Sequence, residues 1–453
     1  MNSSRNISVR THTPAYLAAS AAACFLAGYL VYIEFDRTAL FTIIISLLFY
    51  PVLAFTDRVV YDGKRLYRTG LFWQVWMKLT GQPRRIRPRS IVHVETETLR
   101  ALRRGTNVTY LYRTTLFGEN ISFRIGSGAG YRNMVRAVLP LIPEGCLDIR
   151  SLELRDHLIK PSAALGHAKA LNIPRSDVLD AANTFEKLPG RRSKQSEPEP
   201  DQVKKADELR TVANELRANG RLIQALEAFR RAFRLNPRHG PLLYDFGRCM
   251  QSLAAAKKDP ALERRSRAIL RLAEAHSAGD VDLLTRLGET YFSAGLWQRA
   301  ENAFKKASAS KAAGYRIFRG LGELALRDGK IAHAINYFSQ SAEVAKSKQL
   351  FRWATAETEY LRRINDDEEY MELELGRINL FDMFSGAGRT SMRIFLFGLV
   401  LILLGLFVAG EIVTEVGWAV SGVALVTCVA STLLRQTFAS RIPFEMLNKE
   451  ENK

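Results

Sequence analysis

"LGETYFSAGLWQRAENAF" (Leu287–Phe304) is followed 34 residues later by "LGELALRDGKIAHAINYF" (Leu321–Phe338). Gly288 and Gly322, Gly295 and Gly329, Ala300 and Ala334, and Phe304 and Phe338 all keep that interval. Gly220, Ala225, Phe229, Ala232 and Pro237 carry the same internal spacing in "ANGRLIQALEAFRRAFRLNP". A repeat of this length reads as stacked helix hairpins, because one hairpin cannot hide its apolar face and the next one covers it. Small residues at Gly288 and Ala300 let two helices approach, and Phe304 fills the gap to the following unit. Four units are expected, at about 206–239, 240–280, 281–314 and 315–348, with 349–364 as a capping helix. The second unit is long: Gly247 to Gly288 spans 41 residues, and the excess lies around "AAAKKDPALERR". If the register resumes there, Ser266, Leu270 and Ala273 take the Ala, Phe and Ala places.

The interval and the residues that keep it resemble the tetratricopeptide repeat (TPR) family over about 203–363. The resemblance implies an all-α solenoid that binds a protein segment along its concave face, built from the first helix of each repeat. On that reading the partner groove holds Arg210, Asn214, Arg248, Arg286, Glu289, Arg319 and Glu323. Some members of the family clamp a partner's C-terminal carboxylate with basic and amide residues. Arg210, Asn214 and Arg286 occupy three of those places, but Asp245 and Asp282 stand where an amide and a base belong. Two wrong charges repel an anion, so a groove for some protein segment is expected and a carboxylate clamp is not.

The formal net charge of +19 favours a polyanion, either nucleic acid or an anionic membrane face. No recognised nucleic-acid module is visible, and the apolar residues point to the membrane. Residues 14–33 and 39–55 carry no charge, and 394–410 and 412–434 are apolar apart from Glu415. Each run approaches the length that crosses a hydrocarbon core. Two transmembrane hairpins are expected, at 14–55 and 391–435. Basic residues flank both hairpins on one side (Arg5, Arg10, Arg389, Arg393, Arg435, Arg441), whereas the first turn holds Glu34, Asp36 and Arg37 and the second Glu411 and Glu415. The basic side is the cytoplasm, which puts both termini and the central domains in the cytoplasm of a multi-pass inner-membrane protein. "AAAC" at Ala21–Cys24 loosely matches a lipoprotein cleavage box, but the apolar run continues past Cys24 and a second span follows. The four cysteines are scattered and form no metal or disulfide pattern.

Residues 57–145 alternate with period two. "RLYRTG", "FWQVWMKL", "IVHVETETL", "VTYLYRTTL" and "NISFRI" read as strands, and 131–139 as one closing helix. Tyr61–Gly70, Arg85–Val94 and the closing strand and helix resemble the bacterial pleckstrin-homology-like (PH-like) domain that follows a membrane hairpin. That implies a binding or scaffolding module. Gly126, Gly128 and Gly130 sit between strand and helix, as in a phosphate loop. Yet no β/α alternation follows, and the helix opens Gly130-Tyr131-Arg132 with no Gly-Lys-Ser/Thr, so the glycines are read as a sharp turn. From Asp57 to Val135 there are 15 Lys/Arg against 5 Asp/Glu, and Arg84, Arg85, Arg87 and Arg89 form a candidate lipid-headgroup patch.

The remaining pieces are a helical connector (146–188) without an assigned role, a Pro- and charge-rich flexible linker (189–202), and an acidic connector (365–390) in which Gly386 and Gly388 give slack. No nucleophile–base set, metal spacing or cofactor loop is present, so no enzyme and no cofactor is expected. The expected protein is a multi-domain membrane protein with two transmembrane hairpins, a PH-like β domain and a TPR solenoid. It would act as an adaptor or scaffold that recruits a protein partner through the groove. The alternatives are a subunit of a larger membrane complex, held through helix contacts at Gly398, Gly405, Gly417 and Gly422, and an anionic-lipid sensor.

Overall fold

The computed structural model describes residues 6–11, 14–70, 74, 78, 85–104, 107–118, 122–126, 128, 130–181, 198–277, 279–310 and 312–438. Strand β1 (Ile7–Arg10) precedes helices α1 (Pro14–Tyr32) and α2 (Asp36–Thr56). Strands β2 (Arg58–Tyr61), β3 (Leu66–Thr69), β4 (Arg85–Ile86), β5 (His93–Arg104), β6 (Asn107–Phe117) and β7 (Ser122–Gly126) follow, closed by α3 (Tyr131–Val138). Then come α4 (Ile149–His157), α5 (Pro161–Ala170), α6 (Ser176–Ala181), α7 (Pro200–Ala218), α8 (Leu222–Leu235), α9 (Gly240–Lys257) and α10 (Pro260–Ala275). The chain ends with α11 (Val281–Ser293), α12 (Trp297–Ser308), α13 (Tyr315–Arg327), α14 (Ile331–Glu343), α15 (Lys348–Asp366), α16 (Glu368–Leu404) and α17 (Glu411–Phe438). Two units result: Met1–His12 with Phe55–Glu357, and Thr13–Ala54 with Thr358–Lys453.

In the first unit, strands β1 to β4 form one antiparallel sheet and β5 to β7 another. The sequence reading began this domain at residue 57 and missed β1. Ile7 pairs with Tyr61 and Arg10 with Arg58, so the strands entering and leaving the first apolar hairpin are zipped together. Of the expected strand Phe72–Leu79, only Gln74 and Lys78 are described, and both are helical. The glycine turn has a packing reason. Gly130 sits at φ 88°, where L side chains are strained, and a Cβ there would lie 2.6 Å from the Ser8 carbonyl oxygen of β1.

The solenoid begins earlier than expected, because its first helix starts at Pro200, inside the stretch 189–202 that reads as a flexible linker. Helices α7/α8, α9/α10, α11/α12 and α13/α14 are the four hairpins, and α15 packs after them. Phe304, 1 % exposed, is wedged between two first helices: a Cβ at Gly288 or at Gly320 would approach its ring to 2.6 Å. Ser266, Leu270 and Ala273 are buried at the places assigned to them, and the Ser266 hydroxyl donates to the Gly247 carbonyl at 3.0 Å. The long second unit lengthens both its helices: α9 has 18 residues and α10 has 16, against 13 for α11 and 12 for α12. Lys258, at φ 55°, ends α9, and Asp259 caps α10 by accepting from the Ala261 amide at 2.8 Å.

The second unit is apolar. Among the described residues, three helices are long and apolar enough to cross a membrane (Asp36–Thr56, Glu368–Phe407 and Glu411–Arg435), with a shorter apolar helix at Ala19–Tyr32. The two hairpins pack on each other. The Trp418 ring lies 5.0 Å from Phe25, 5.7 Å from Tyr29 and 6.0 Å from Tyr32. Gly398, Gly405 and Gly417, which the complex-subunit alternative places at helix contacts, lie where α16 and the turn after it meet α17. A Cβ on Gly417 would stand 2.7 Å from the Ile402 amide, whereas Gly422 has nothing within 4 Å. The acidic connector is not slack. Helix α16 runs unbroken through Gly386 and Gly388 for 37 residues, because Gly in a helix lowers its stability without ending it.

Candidate functional site

The inner face of the solenoid is lined by α7, α9, α11 and α13, and it is occupied by the chain itself. The occupant is the connector that the sequence left without a role. Asp148 caps α4, its side chain accepting from the Ser151 amide at 2.9 Å. The Asp148 amide donates to the Val94 carbonyl of β5 at 3.1 Å, and Thr96 and Ser151 share a buried hydrogen bond of 2.8 Å. One side of α4 is thereby fixed to the β domain. The other side meets α7 and α11.

Glu153, at the middle of α4, is clasped from two repeats. Arg217 Nη1 of α7 lies 3.0 Å from Glu153 Oε2, and Arg248 Nε of α9 donates to Oε1 at 3.0 Å. Burial alone would push the Glu153 carboxyl up, but the two guanidiniums outweigh it and hold it at about 2. Around this pair the apolar residues are shared. Leu147, Leu152 and Leu154 belong to one core with Val94, Leu116 and Phe123 of the sheets, and with Tyr315, Leu350 and Ala354 of the solenoid's far end. The near end is sealed as well. The Val108 amide of β6 donates to the Gly220 carbonyl at 3.0 Å, the Tyr112 hydroxyl donates to Ala218, and Arg132 reaches Asn219 Oδ1 at 2.6 Å.

The seven expected groove residues separate accordingly. Arg210 and Asn214 both bind Asp245 of the next repeat, at 2.6 and 2.9 Å, so two of the expected anion contacts already hold an anion. Burial raises the Asp245 carboxyl, and Arg210 and Arg217 more than offset that and keep it below the usual carboxylate range. Arg248 holds Glu153. Arg286 pairs with Asp282 within α11 at 2.9 Å, and Glu289 is bound by Arg316 of α13. Arg319 pairs with Glu323 one turn on at 2.6 Å and lies over the Trp353 ring at 5.2 Å.

That last group continues to the end of the solenoid. Glu357 on α15 is pushed up to about 7 by burial and by the neighbouring Glu323, against the pull of Arg319. His93 of β5 is held down at about 3 by burial and Arg319, and burial pushes the Cys146 thiol up to about 12. Sequence reasoning missed Glu153, Arg217 and Glu357. Glu153 lies outside the repeats that carry its two bases, and Arg217 and Arg248 do not hold equivalent places in those repeats, so no pattern connects the three.

Of the proposed headgroup patch, Arg84 lies outside the described residues. Arg85, Arg87 and Arg89 are exposed and alternate with the buried Ile86 and Pro88, which turns all three outward. Among the described residues no group of three or more His, Cys, Asp or Glu side chains is placed to hold a metal ion.

No protein-family profile matches the sequence. No curated protein sequence matches it. Solved structures similar to part of the chain include a thermophilic TPR protein of Thermus thermophilus, 20% identical over 34% of this chain and 80% of that one, with a TM-score of 0.29. The pilF protein of Pseudomonas aeruginosa is 18% identical over 53% of this chain and 100% of its own, with a TM-score of 0.33. MamA of Desulfovibrio magneticus RS-1 is 19% identical over 31% of this chain and 75% of its own, with a TM-score of 0.26.

Proposed function

We propose that the chain is a non-enzymatic scaffold of the TPR type, anchored in the inner membrane through its two apolar hairpins, with both termini and the central domains in the cytoplasm. Its PH-like β domain and its solenoid act as one body, and protein partners bind the outer surfaces of that body. The observation that carries this reading is the double clasp of Glu153 by Arg217 and Arg248. It commits the centre of the inner face to an internal contact. Displacing α4 would break both ion pairs of Glu153 and open a core shared by both domains.

The test is hydrogen exchange on the full chain from gently solubilised membranes, with co-purifying partners retained or stripped. The scaffold reading expects Ile149–His157 to stay protected in both samples. Deprotection of that helix when the partner is bound would return the groove to the partner. Extraction of the chain by alkaline carbonate would remove the membrane anchor from the reading.

Lipid sensing is a second reading, favoured by the outward Arg85, Arg87 and Arg89. Charge reversal at these three is expected to lower the amount of anionic lipid that co-purifies, as seen by native mass spectrometry.

A further inference from the structure

We propose that two copies of the chain associate by seating the acidic run 366–372 of one on the outer face of α10 of the other. The contact is independent of what fills the inner face of the solenoid.

Arg264, Arg265, Arg267 and Arg271 of α10 are all exposed. Arg264, Arg267 and Arg271 follow one another at three and four residues, so they share one face of the helix. Arg267 is paired with Glu263 at 2.5 Å. Arg264, Arg265 and Arg271 meet no carboxylate among the described residues. Glu274, the other acid on α10, is taken by Lys306 at 2.7 Å and by Arg299 at 3.6 Å. This surplus of positive charge lies in the repeat that breaks the 34-residue interval, on a helix longer than its counterparts α12 and α14.

The complementary surplus is in the other unit. Asp366, Asp367, Glu368, Glu369 and Glu372 are exposed, and none is ion-paired among the described residues. Asp367 also caps α16 by accepting from the Tyr370 amide at 3.0 Å. Glu374 is not part of the surplus, because Arg377 and the Tyr360 hydroxyl already bind it. Leu373 is 68% exposed beside the acids, and Leu272 is 39% exposed beside the arginines, so each patch has an apolar neighbour to cover. Arg264 to Arg271 spans about 10 Å along α10 at the helical rise, and the acidic run lies at the turn between α15 and α16, where Asp367 is extended. A two-fold arrangement makes the contact twice and closes a dimer.

The test uses full-length chains carrying two different tags, co-expressed and gently solubilised, and measures capture of one tag by the other. One variant carries Arg264→Glu, Arg265→Glu and Arg271→Glu. The second carries Asp366→Lys, Glu368→Lys and Glu369→Lys. All six sites are exposed, so the fold is kept. Each variant is expected to capture its own kind about tenfold less than the natural chain does, and 0.5 M salt weakens natural capture, as exposed ion pairs require. Co-expression of the two variants restores capture, since each then meets its opposite charge. Unchanged self-capture in both variants overturns the proposal, as does failure of the mixed pair to recover. Loss with the arginine variant alone assigns the basic face to another anion, such as a lipid headgroup, and also overturns it. No capture between natural chains does the same.

Discussion

Arg248 and Glu153 are separated by 95 residues in sequence and 3.0 Å in space. That contact, with Arg217 on the other carboxylate oxygen, joins the connector to two repeats at once. Glu153→Gln keeps the shape and removes the charge. The buried Arg217 and the half-buried Arg248 are then left facing a neutral amide, and a loss of about 2–4 kcal/mol of stability is expected. Denaturant unfolding of the full chain in detergent measures it. An unchanged midpoint would mean the pair is a bystander.

The same carboxyl sets an acid limit. Its folded value of about 2 is below the ordinary 4.5, so its contribution is complete above pH 4.5 and is lost as pH falls towards 2. The natural chain should lose stability across that window more steeply than Glu153→Gln does. Parallel pH profiles for the two would show that another group is responsible.

Glu357 has the opposite sign. Its folded value is raised to about 7, so the folded state binds its proton more tightly than the unfolded chain does. Stability from this group is full below pH 4.5 and is lost as pH rises through 7. Glu357→Gln is expected to gain about 1–3 kcal/mol at pH 8 and nothing at pH 4. Thermal unfolding at the two pH values decides it, and a gain at both would point to packing rather than charge.

Gly220 and Gly329 occupy equivalent turns between the two helices of a repeat, at φ 76° and 74°. Alanine is strained at either. At Gly329 nothing lies within 4 Å of a Cβ, whereas at Gly220 the Cβ would fall 1.7 Å from the Val108 carbonyl oxygen. Gly329→Ala should cost about 1 kcal/mol. Gly220→Ala should cost several times more and should speed protease cleavage between β6 and the solenoid. Equal costs would show that the β domain yields freely at this seam.

Phe304 fills the space above Gly288 and Gly320, which belong to successive repeats. Phe304→Ala should cost about 3–5 kcal/mol by opening a cavity across that junction. Hydrogen exchange should show the loss in α11 to α14 first, because repeats couple to their neighbours. A loss spread evenly over the chain would argue against a repeat-by-repeat solenoid.

The sequence by itself determined the helix hairpins of the solenoid and the shift in the second repeat, although α7 begins at Pro200, inside the stretch 189–202 that reads as a linker. The reason is that each repeat packs on its nearest neighbour, so contacts such as Gly288 with Phe304 recur at a fixed short separation and leave a period. It also marked the apolar helices, since a long uncharged run is a local property. Tertiary structure alone decided the rest. Strand β1 is four residues long and finds β2 only across the intervening hairpin, so nothing near Ile7–Arg10 announces it. Arg210 and Asn214 read as open groove residues because their partner Asp245 lies one repeat away. Glu153 gave no signal at all: a carboxylate on a short helix is ordinary until two guanidiniums from successive repeats converge on it. Contacts that repeat along a chain are written in it, whereas a contact made once between distant segments exists only when the fold brings them together.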